Sequence, residues 1–449
     1  MRLFQKAVLG NCLFLASMGI GSAQTARNNA VPSTDKSWLT PTDELNSALP
    51  YWLRFHGEER VRPEGVDGQA FTGGASDGYL LNRLRFDMDV LPVSWLKFDV
   101  QVQDARAIWK NPVAAPPYQD TWDLRLAYAE IGDLEKYHAA FRVGLQELVF
   151  GDERLIGISN WTNVARSFDG YRATVQDGKF RLDAFAASVV VLRDGEVGEH
   201  TPGNYIDGLY GQMQDVVPHS TIQPYFLWRR SPSQKLENGQ LGNEHFGTTG
   251  VRWVGKLPLG FDYNTETAIQ RGSLGTDGVA AWAAHAAIGH KIPAAALKQP
   301  RYVVEYNFAS GDGNSKDGQH GTFDQLYPSG HNKLDLADQV GWKNIQHLRT
   351  GPEWKFTKKV SVSFKYSDYW LANAHDALYN SSGNVVARQA NGTAGRWVGQ
   401  EFDGMASYTT TKKSEIGAGF GYLLPGTFLK ATTPGHSYSY PYLYYSTAF

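Results

Sequence analysis

The sequence predicts an all-β protein, a transmembrane antiparallel β-barrel of about 18 strands. Apolar and polar residues alternate along many segments, so each strand would have one apolar and one polar face. Beyond the amino-terminal residues, no apolar run is long enough to cross a bilayer as a helix. The chain closes on a tyrosine-rich segment, Ser437 to Phe449, of the aromatic kind found in outer-membrane barrels. Taken alone, that segment also fits an edge strand of a secreted sandwich.

The alternation is clearest between Leu80 and Asp89. Arg83 and Arg85 alternate there with Leu84 and Phe86. In a strand this pattern separates charged from apolar side chains, which suits water inside a barrel and lipid outside it. The same pattern returns at residues 96–103, 122–128, 141–143, 261–266, 301–308, 361–366 and 415–422.

The amino terminus predicts export. Arg2 and Lys6 precede a mostly apolar segment, and small residues at 21–23 suit signal peptidase. We therefore predict a signal peptide at 1–23, a periplasmic segment at 24–49 and one outer-membrane barrel at 50–449. The only cysteine, Cys12, lies inside the predicted signal, so the mature barrel would have neither disulfides nor a thiolate metal site.

Short and long connections alternate along the chain, which predicts short periplasmic turns and long extracellular loops. Strands of about ten residues give 18 strands, and 16 is the alternative because the stretch at 372–405 is ambiguous. The stretch at 309–341 is predicted to gate or plug the barrel, with simple surface exposure as the alternative. The longest irregular segments lie at 111–120, 152–163, 195–204, 231–244, 309–341 and 372–395.

The composition points to transport and names no partner by itself. The formal charge of -2 is close to balance, and nothing indicates nucleic acid binding. A barrel of this width has a lumen too large for its own side chains to fill, so an aqueous path is expected. The histidines are scattered, with no spacing for a zinc site or a catalytic triad, so we predict no catalytic residue, cofactor or metal.

Three segments carry more than the alternation: the strand at 80–89, the stretch from Gly144 to Gly170, and the stretch from Tyr306 to Asp338, which includes Ser310-Gly311-Asp312. Together they resemble the alginate export family. The resemblance implies an 18-stranded outer-membrane barrel that passes an anionic uronic acid polysaccharide. Its implied partners are outer-membrane lipid, the polysaccharide and periplasmic export components, with the protein itself a monomer. Leu145 departs from the arginine that many members have there, and by alternation it should face lipid.

Arginine is the side chain best suited to the carboxylates of such a polymer, because its planar donors stay charged at any relevant pH. We expect arginines to line one wall of the pore, with Arg301 and Lys365 on the opposite wall. The alternative is a structural lattice of arginines and carboxylates without a role in transport. The predicted pore-lining residues are Arg83, Arg85, Arg125, Arg142, Arg154, Arg166, Arg172, Asp123, Glu130, Glu147, Asp152 and Asp169.

Two other functions remain open from the sequence. One is a general porin, or a porin selective for small anions or sugars. The other is an outer-membrane enzyme that modifies polysaccharide, because carboxylates facing each other across a lumen can approach as they do in glycosidases.

Overall fold

A computed structural model describes residues 41–112, 114–235, 241–293 and 298–449. Within them, 18 antiparallel strands pair in chain order and close into one barrel, which confirms the predicted fold class and strand number. The predicted signal peptide and most of the segment at 24–49 lie outside the described residues, and the division into these parts stays a prediction.

The barrel strands β1 to β18 follow the chain, and most are longer than the ten residues expected. They are β1 (Leu53–Asp67), β2 (Ser76–Val93), β3 (Leu96–Ile108), β4 (Asp120–Asp133), β5 (Ala139–Gln146), β6 (Phe168–Asp177), β7 (Phe180–Val191), β8 (Glu199–Gln214), β9 (Ser220–Lys235), β10 (Leu241–Lys256), β11 (Phe261–Leu274), β12 (Asp277–Lys291), β13 (Arg301–Ala309), β14 (Ile345–Lys355), β15 (Val360–Leu371), β16 (Trp397–Thr409), β17 (Ser414–Pro425) and β18 (Tyr438–Ala448).

Few other regular elements occur in the described part of the chain. A short strand, Gln319–His320, adds in parallel to β12, and Ala377–Tyr379 forms a small hairpin with Val385–Arg388. The helical segments are α1 (Pro41–Ala48), α2 (Thr427–Thr432) and the 3-10 turns Gln69–Phe71 and Pro258–Gly260. No helix in these described ranges is long and apolar enough to cross a membrane.

The barrel closes where its first and last strands meet. Glu58 of β1 lies opposite Ala448 of β18, and the backbone groups of Gly57 and Phe449 exchange two hydrogen bonds of 2.9 Å. Since each of the 18 described barrel strands then has a partner on both sides, the barrel sheet has no free edge to pair with another chain.

The two ends of the barrel differ as predicted. At the end where β1 starts and β18 finishes, β2 joins β3 through residues 94–95 and β6 joins β7 through 178–179. At the other end lie the long loops at 147–167, 310–344 and 372–396. We call these the short-turn end and the long-loop end, and in an outer-membrane barrel they face the periplasm and the exterior.

Burial separates the two faces of each strand. Arg83 and Arg85 of β2 are each 1% exposed, whereas Leu84 and Phe86 are 42% and 39% exposed. The alternation read from the sequence therefore assigns this strand correctly, with charges inside and apolar groups toward lipid.

Strand β4 departs from the predicted alternation. Its pairing with β3 moves from Val102 opposite Leu124 to Gln101 opposite Leu126, so one residue is extra in β4. Such a bulge reverses the faces that follow it. Tyr128 consequently points inward and donates to Asp99 at 3.1 Å, although strict alternation had placed it with the lipid-facing residues.

The tyrosines of β18 also point inward and pack on a column of glycines. Tyr442 and Tyr444 are 4% and 5% exposed. A Cβ atom added to Gly419 or Gly417 of the neighbouring β17 would overlap their rings. The glycines therefore provide the space in which these rings lie flat against the wall.

Two long loops fold into the barrel and form much of its core. The inner loop 147–167 and the inner loop 310–344 contribute buried apolar side chains such as Ile156 and Phe323. They join through a parallel bridge between Ile156 and Tyr327. The structure therefore places the segment predicted at 309–341 inside the barrel.

Candidate functional site

The inner wall formed by β1, β2 and β4 carries a dense cluster of arginines. Arg60 of β1 lies directly opposite Arg83 of β2. Arg85 donates from Nε to Gln103 at 2.8 Å, and Arg125 donates to Glu147 at 2.5 Å. The cluster contains five guanidinium groups and three carboxylates, which are Arg60, Arg62, Arg83, Arg85, Arg125, Glu58, Glu64 and Glu147.

The wall continues across β5 and β6 toward the short-turn end. Arg142 of β5 lies opposite Arg172 of β6. Arg142 pairs with Glu130 at 2.6 Å, and Arg172 pairs with Asp183 at 2.9 Å. We call these residues together with the cluster above the arginine wall.

The tip of inner loop 147–167 covers the arginine wall with neutral oxygen atoms. Arg60 donates to the backbone carbonyls of Asn160 at 2.8 Å, Trp161 at 3.1 Å and Thr162 at 2.9 Å. Arg83 donates to the Asn160 carbonyl at 3.0 Å, and Arg85 donates to the Asn160 amide oxygen at 3.0 Å. The loop tip thus presents acceptors where guanidinium groups would otherwise bind anions.

Arg60 differs from its neighbours in lacking an acidic partner. Among the described residues, none of its nitrogens lies within 4.0 Å of a carboxylate, whereas Arg83 pairs with Glu58 and Arg62 with Glu64. Three backbone carbonyls satisfy most of its donors, and its Nε has no partner.

Trp161 fixes the loop tip between the two inner loops and the wall. The guanidinium carbon of Arg62 lies 3.8 Å from the centre of the indole. The ring of His331, from the other inner loop, stacks on the indole with centroids 4.0 Å apart and planes 3° apart. Tyr442 contacts it edge-on at 4.7 Å. Trp161 is 7% exposed, so its ring is occupied by protein on several sides.

The junction of the two inner loops is polar and charged. Arg166 donates to the carbonyls of Gly157 at 2.8 Å and Tyr327 at 2.7 Å. Burial lowers the pKa of the Arg166 guanidinium to about 10, so it remains charged at neutral pH. Burial alone would raise the pKa of the Asp152 carboxyl, but the charges of Lys333 and Arg154 outweigh it and hold that pKa well below its usual range.

Four of the predicted site residues do not lie on the expected wall. Asp152 belongs to the loop junction described above, where it pairs with Lys333 at 3.2 Å. Arg154 lies inside the loop and reaches β13, where it donates to Glu305 at 3.1 Å. Arg166 lies at the loop junction just described. Both belong to a loop that crosses the lumen, which alternation along a strand cannot describe. Asp169 is on the outer face, because it shares that face with Tyr171, which is 57% exposed, and it contacts His200 at 3.0 Å.

The remaining predicted residues face the interior. Asp123 accepts the Gly198 amide at 3.2 Å. Arg301 of β13 and Lys365 of β15 both pair with Glu353 of β14, at N–O distances of 2.7 and 2.8 Å, away from the arginine wall. Leu145 lies opposite Ala127 on the outer face, as alternation predicted.

The matched sequence family accounts for this architecture. A sequence model of the alginate export family matches residues 51–442. The chain belongs to the alginate export family. The family match and the closed 18-stranded barrel together indicate that this protein is an outer-membrane channel.

Solved structures of the same fold come from Pseudomonas aeruginosa. OpdQ matches with a TM-score of 0.59 at 12% identity, covering 88% of this chain and 97% of its own. OccK3 (OpdO) matches at 0.58 and 12%, covering 88% and 95%, and OccK11 (OpdR) at 0.54 and 10%, covering 88% and 96%. At these identities the likeness concerns the fold alone. No curated protein matches the chain.

Sequence reasoning missed the first strand of this family member's arginine wall. Arg60 and Arg62 alternate with Val61 and Pro63, so the same rule that found Arg83 would have found them. It also missed the carbonyls of the loop tip, because backbone acceptors leave no signal in side-chain identity. In the described ranges, no group of three or more His, Cys, Asp or Glu residues could hold a metal ion.

Proposed function

We propose that this protein is a passive outer-membrane channel for an anionic polysaccharide of the uronic acid type, such as alginate or its fragments. The supporting observation is that uncharged backbone carbonyls of the loop tip accept hydrogen bonds from Arg60 and Arg83. The cluster that contains them has five guanidinium groups and only three carboxylates. Transport would be passive because no nucleotide motif occurs in the sequence. The predicted signal peptide would direct a monomer to the outer membrane, and periplasmic export components would deliver the polymer.

The chemistry of the arginine wall suits a polymer with one carboxylate per sugar. A guanidinium binds a carboxylate with two parallel hydrogen bonds, and such charge-assisted bonds are roughly twice as strong as neutral ones. A carboxylate arriving at Arg60 or Arg83 would therefore compete well with the carbonyls of Asn160 and Thr162. The polymer would displace the loop tip and accept the hydrogen bonds that Arg60 and Arg83 donate to it.

Conduction also requires that no contact hold the polymer too tightly. Glu147, Glu130 and Asp183 pair with Arg125, Arg142 and Arg172. These carboxylates would compete with those of the polymer at each step. The wall would then offer a series of exchangeable contacts, with no single deep trap.

A channel for small anionic solutes is the second candidate. Two inner loops cross the lumen and join at Ile156 and Tyr327, which favours a narrow path over a wide bore. Both candidates use the arginine wall, and the length of solute that passes separates them. Neither requires catalysis, and we propose that the protein is not an enzyme.

Single-channel recording in planar bilayers tests the proposal. We expect anion selectivity, and block by oligouronates that neutral oligosaccharides of equal length do not cause. Arg60→Gln is the cleanest variant, because it leaves no carboxylate unpaired, whereas loss of Arg83 would strand Glu58. We expect R60Q to weaken oligouronate block about tenfold, the loss of one charge-assisted contact of roughly 1.4 kcal/mol.

The matched control is Arg106→Gln. The Arg106 side chain is 50% exposed and pairs only with Asp104 among the described acidic residues, so R106Q should leave block unchanged. Equal block by neutral and anionic oligosaccharides would contradict the proposal. Passage of small anions together with exclusion of oligouronates would favour the second candidate.

A further inference from the structure

A polar recess lies in the inner wall near the short-turn end. It has a volume of about 310 Å³ and is formed by β6 to β9, with residues 149–151 of inner loop 147–167 beside it. We call it the short-turn cavity. Of the described residues of the arginine wall, Arg172 and Asp183 contribute to its lining, so most of its groups have no part in the function proposed above.

Amide side chains dominate the lining. Gln223 donates from Nε2 to Oε1 of Gln212 at 2.9 Å. Its own Oε1 accepts from Arg252 at 2.9 Å and from the Tyr210 hydroxyl at 3.2 Å. Gln176 and Gln214 add two more amides. An amide offers both a donor and an acceptor, which matches the vicinal hydroxyls of a sugar ring.

Cationic groups outnumber acidic groups at this site. Arg172 and Arg181 both bind Asp183, at 2.9 and 2.8 Å. Lys179 also lines the cavity, and among the described acidic residues it contacts Asp215 alone, at 4.0 Å. The side chains of Arg181 and Lys179 are 31% and 60% exposed to solvent. Both side chains are therefore accessible to an anion that enters the cavity.

A stacked column of rings holds the cavity open. Phe150 of the inner loop stacks on Phe185 at 5.1 Å and on Tyr210 at 4.8 Å, and Tyr210 stacks on Tyr225 at 5.5 Å. These rings cover one another, so they fix the position of the loop and leave recognition to the amides and cations. A preformed site of this kind loses little free energy to ordering when it binds.

We infer that the short-turn cavity binds a single hexuronate unit at the periplasmic mouth of the channel. The guanidinium of Arg181 and the ammonium of Lys179 would bind the carboxylate, while Gln212 and Gln223 would bind the ring hydroxyls. The volume lies at the lower end of the roughly 300–1,000 Å³ typical of small-molecule sites, which suits one or two sugar units. This inference rests on the proposed function and adds an entry site to it.

One-sided block by a monosaccharide tests the inference. Galacturonate added at the short-turn side of single channels should block at lower concentration than from the long-loop side, and glucose should block much less. A thiol reagent acting on Lys412→Cys, in the short turn before β17, reports the orientation of each channel. The double variant Gln212→Ala with Gln223→Ala should weaken the galacturonate block about tenfold, as expected for two lost hydrogen bonds.

The control is Gln234→Ala, which removes the same kind of side chain from the long-loop end of β9. Native conductance and a native heat-dependent shift in gel mobility show that each variant is folded. Undiminished block in the double variant, block equal from both sides, or equal block by glucose would overturn the inference. If oligouronate block still depends on Arg60 in that case, the channel proposal stands alone. If no uronate of any length blocks the native channel, both fail.

Discussion

Replacing Trp161 by alanine should release the tip of inner loop 147–167 from the arginine wall. The change removes the stack on His331 at 4.0 Å and the contact with the Arg62 guanidinium at 3.8 Å. Truncating a buried tryptophan costs about 3–5 kcal/mol. Because each 1.4 kcal/mol is a factor of about ten, the ratio of displaced to docked tip should rise about a hundredfold or more.

The expected readout is higher mean conductance and more frequent openings in single-channel recordings. Oligouronates should also block Trp161→Ala at lower concentration than the native channel, since the carbonyls of Asn160 and Thr162 would compete less for Arg60. Trp161→Phe keeps a ring at the site and should lie between the two.

The matched control for this prediction is Trp282→Ala. Trp282 is 48% exposed on the outer face of β12 and stacks on Phe308 at 4.2 Å, so Trp282→Ala tests for a general effect of tryptophan loss. If Trp161→Ala leaves conductance unchanged and weakens oligouronate block, Trp161 stacks on sugar rings instead of anchoring the loop, and the reasoning is wrong.

Two further predictions concern the loop junction and the barrel wall. The depressed pKa of Asp152 stabilises the loop junction above the ordinary carboxyl pKa of about 4, and this contribution is lost as pH falls through the lower pKa of the folded state. Lys333→Met should raise the pKa of Asp152 and move acid-induced channel opening to higher pH, as seen by recording conductance during acidification, and an unchanged midpoint would contradict it. Gly419→Leu should destabilise the barrel by about 1–3 kcal/mol through overlap with Tyr442, measured by urea unfolding in detergent, while Ala418→Leu on the outer face should be nearly neutral.

The strand pattern was predictable because lipid and water impose opposite demands on alternate residues. For β2, the alternation of Arg83 and Arg85 with Leu84 and Phe86 was enough to assign both faces. The prediction failed for Tyr128, because a bulge depends on backbone pairing with β3 and leaves no clear mark in the sequence.

The candidate site was harder to predict because its main part lies in a loop. Arg154 and Arg166 were found as residues but assigned to the wrong place, since their positions depend on contacts with β13 and with the other inner loop. Tertiary contacts between segments more than a hundred residues apart fix such positions, and no local period records them.

The choice of neutral acceptors at the loop tip has a physical consequence for gating. A carboxylate in place of the Asn160 carbonyl would form a buried ion pair with Arg60 or Arg83, and breaking such a pair costs about 3–5 kcal/mol. Backbone carbonyls satisfy the same donors with weaker hydrogen bonds. The buried guanidinium groups therefore have acceptors, and the bonds that they make can still be exchanged for others. In the proposed function, a carboxylate of the polymer would then displace the tip with a net gain in free energy. Arg60, which lacks an acidic partner among the described residues, is the position where this exchange would favour the polymer most.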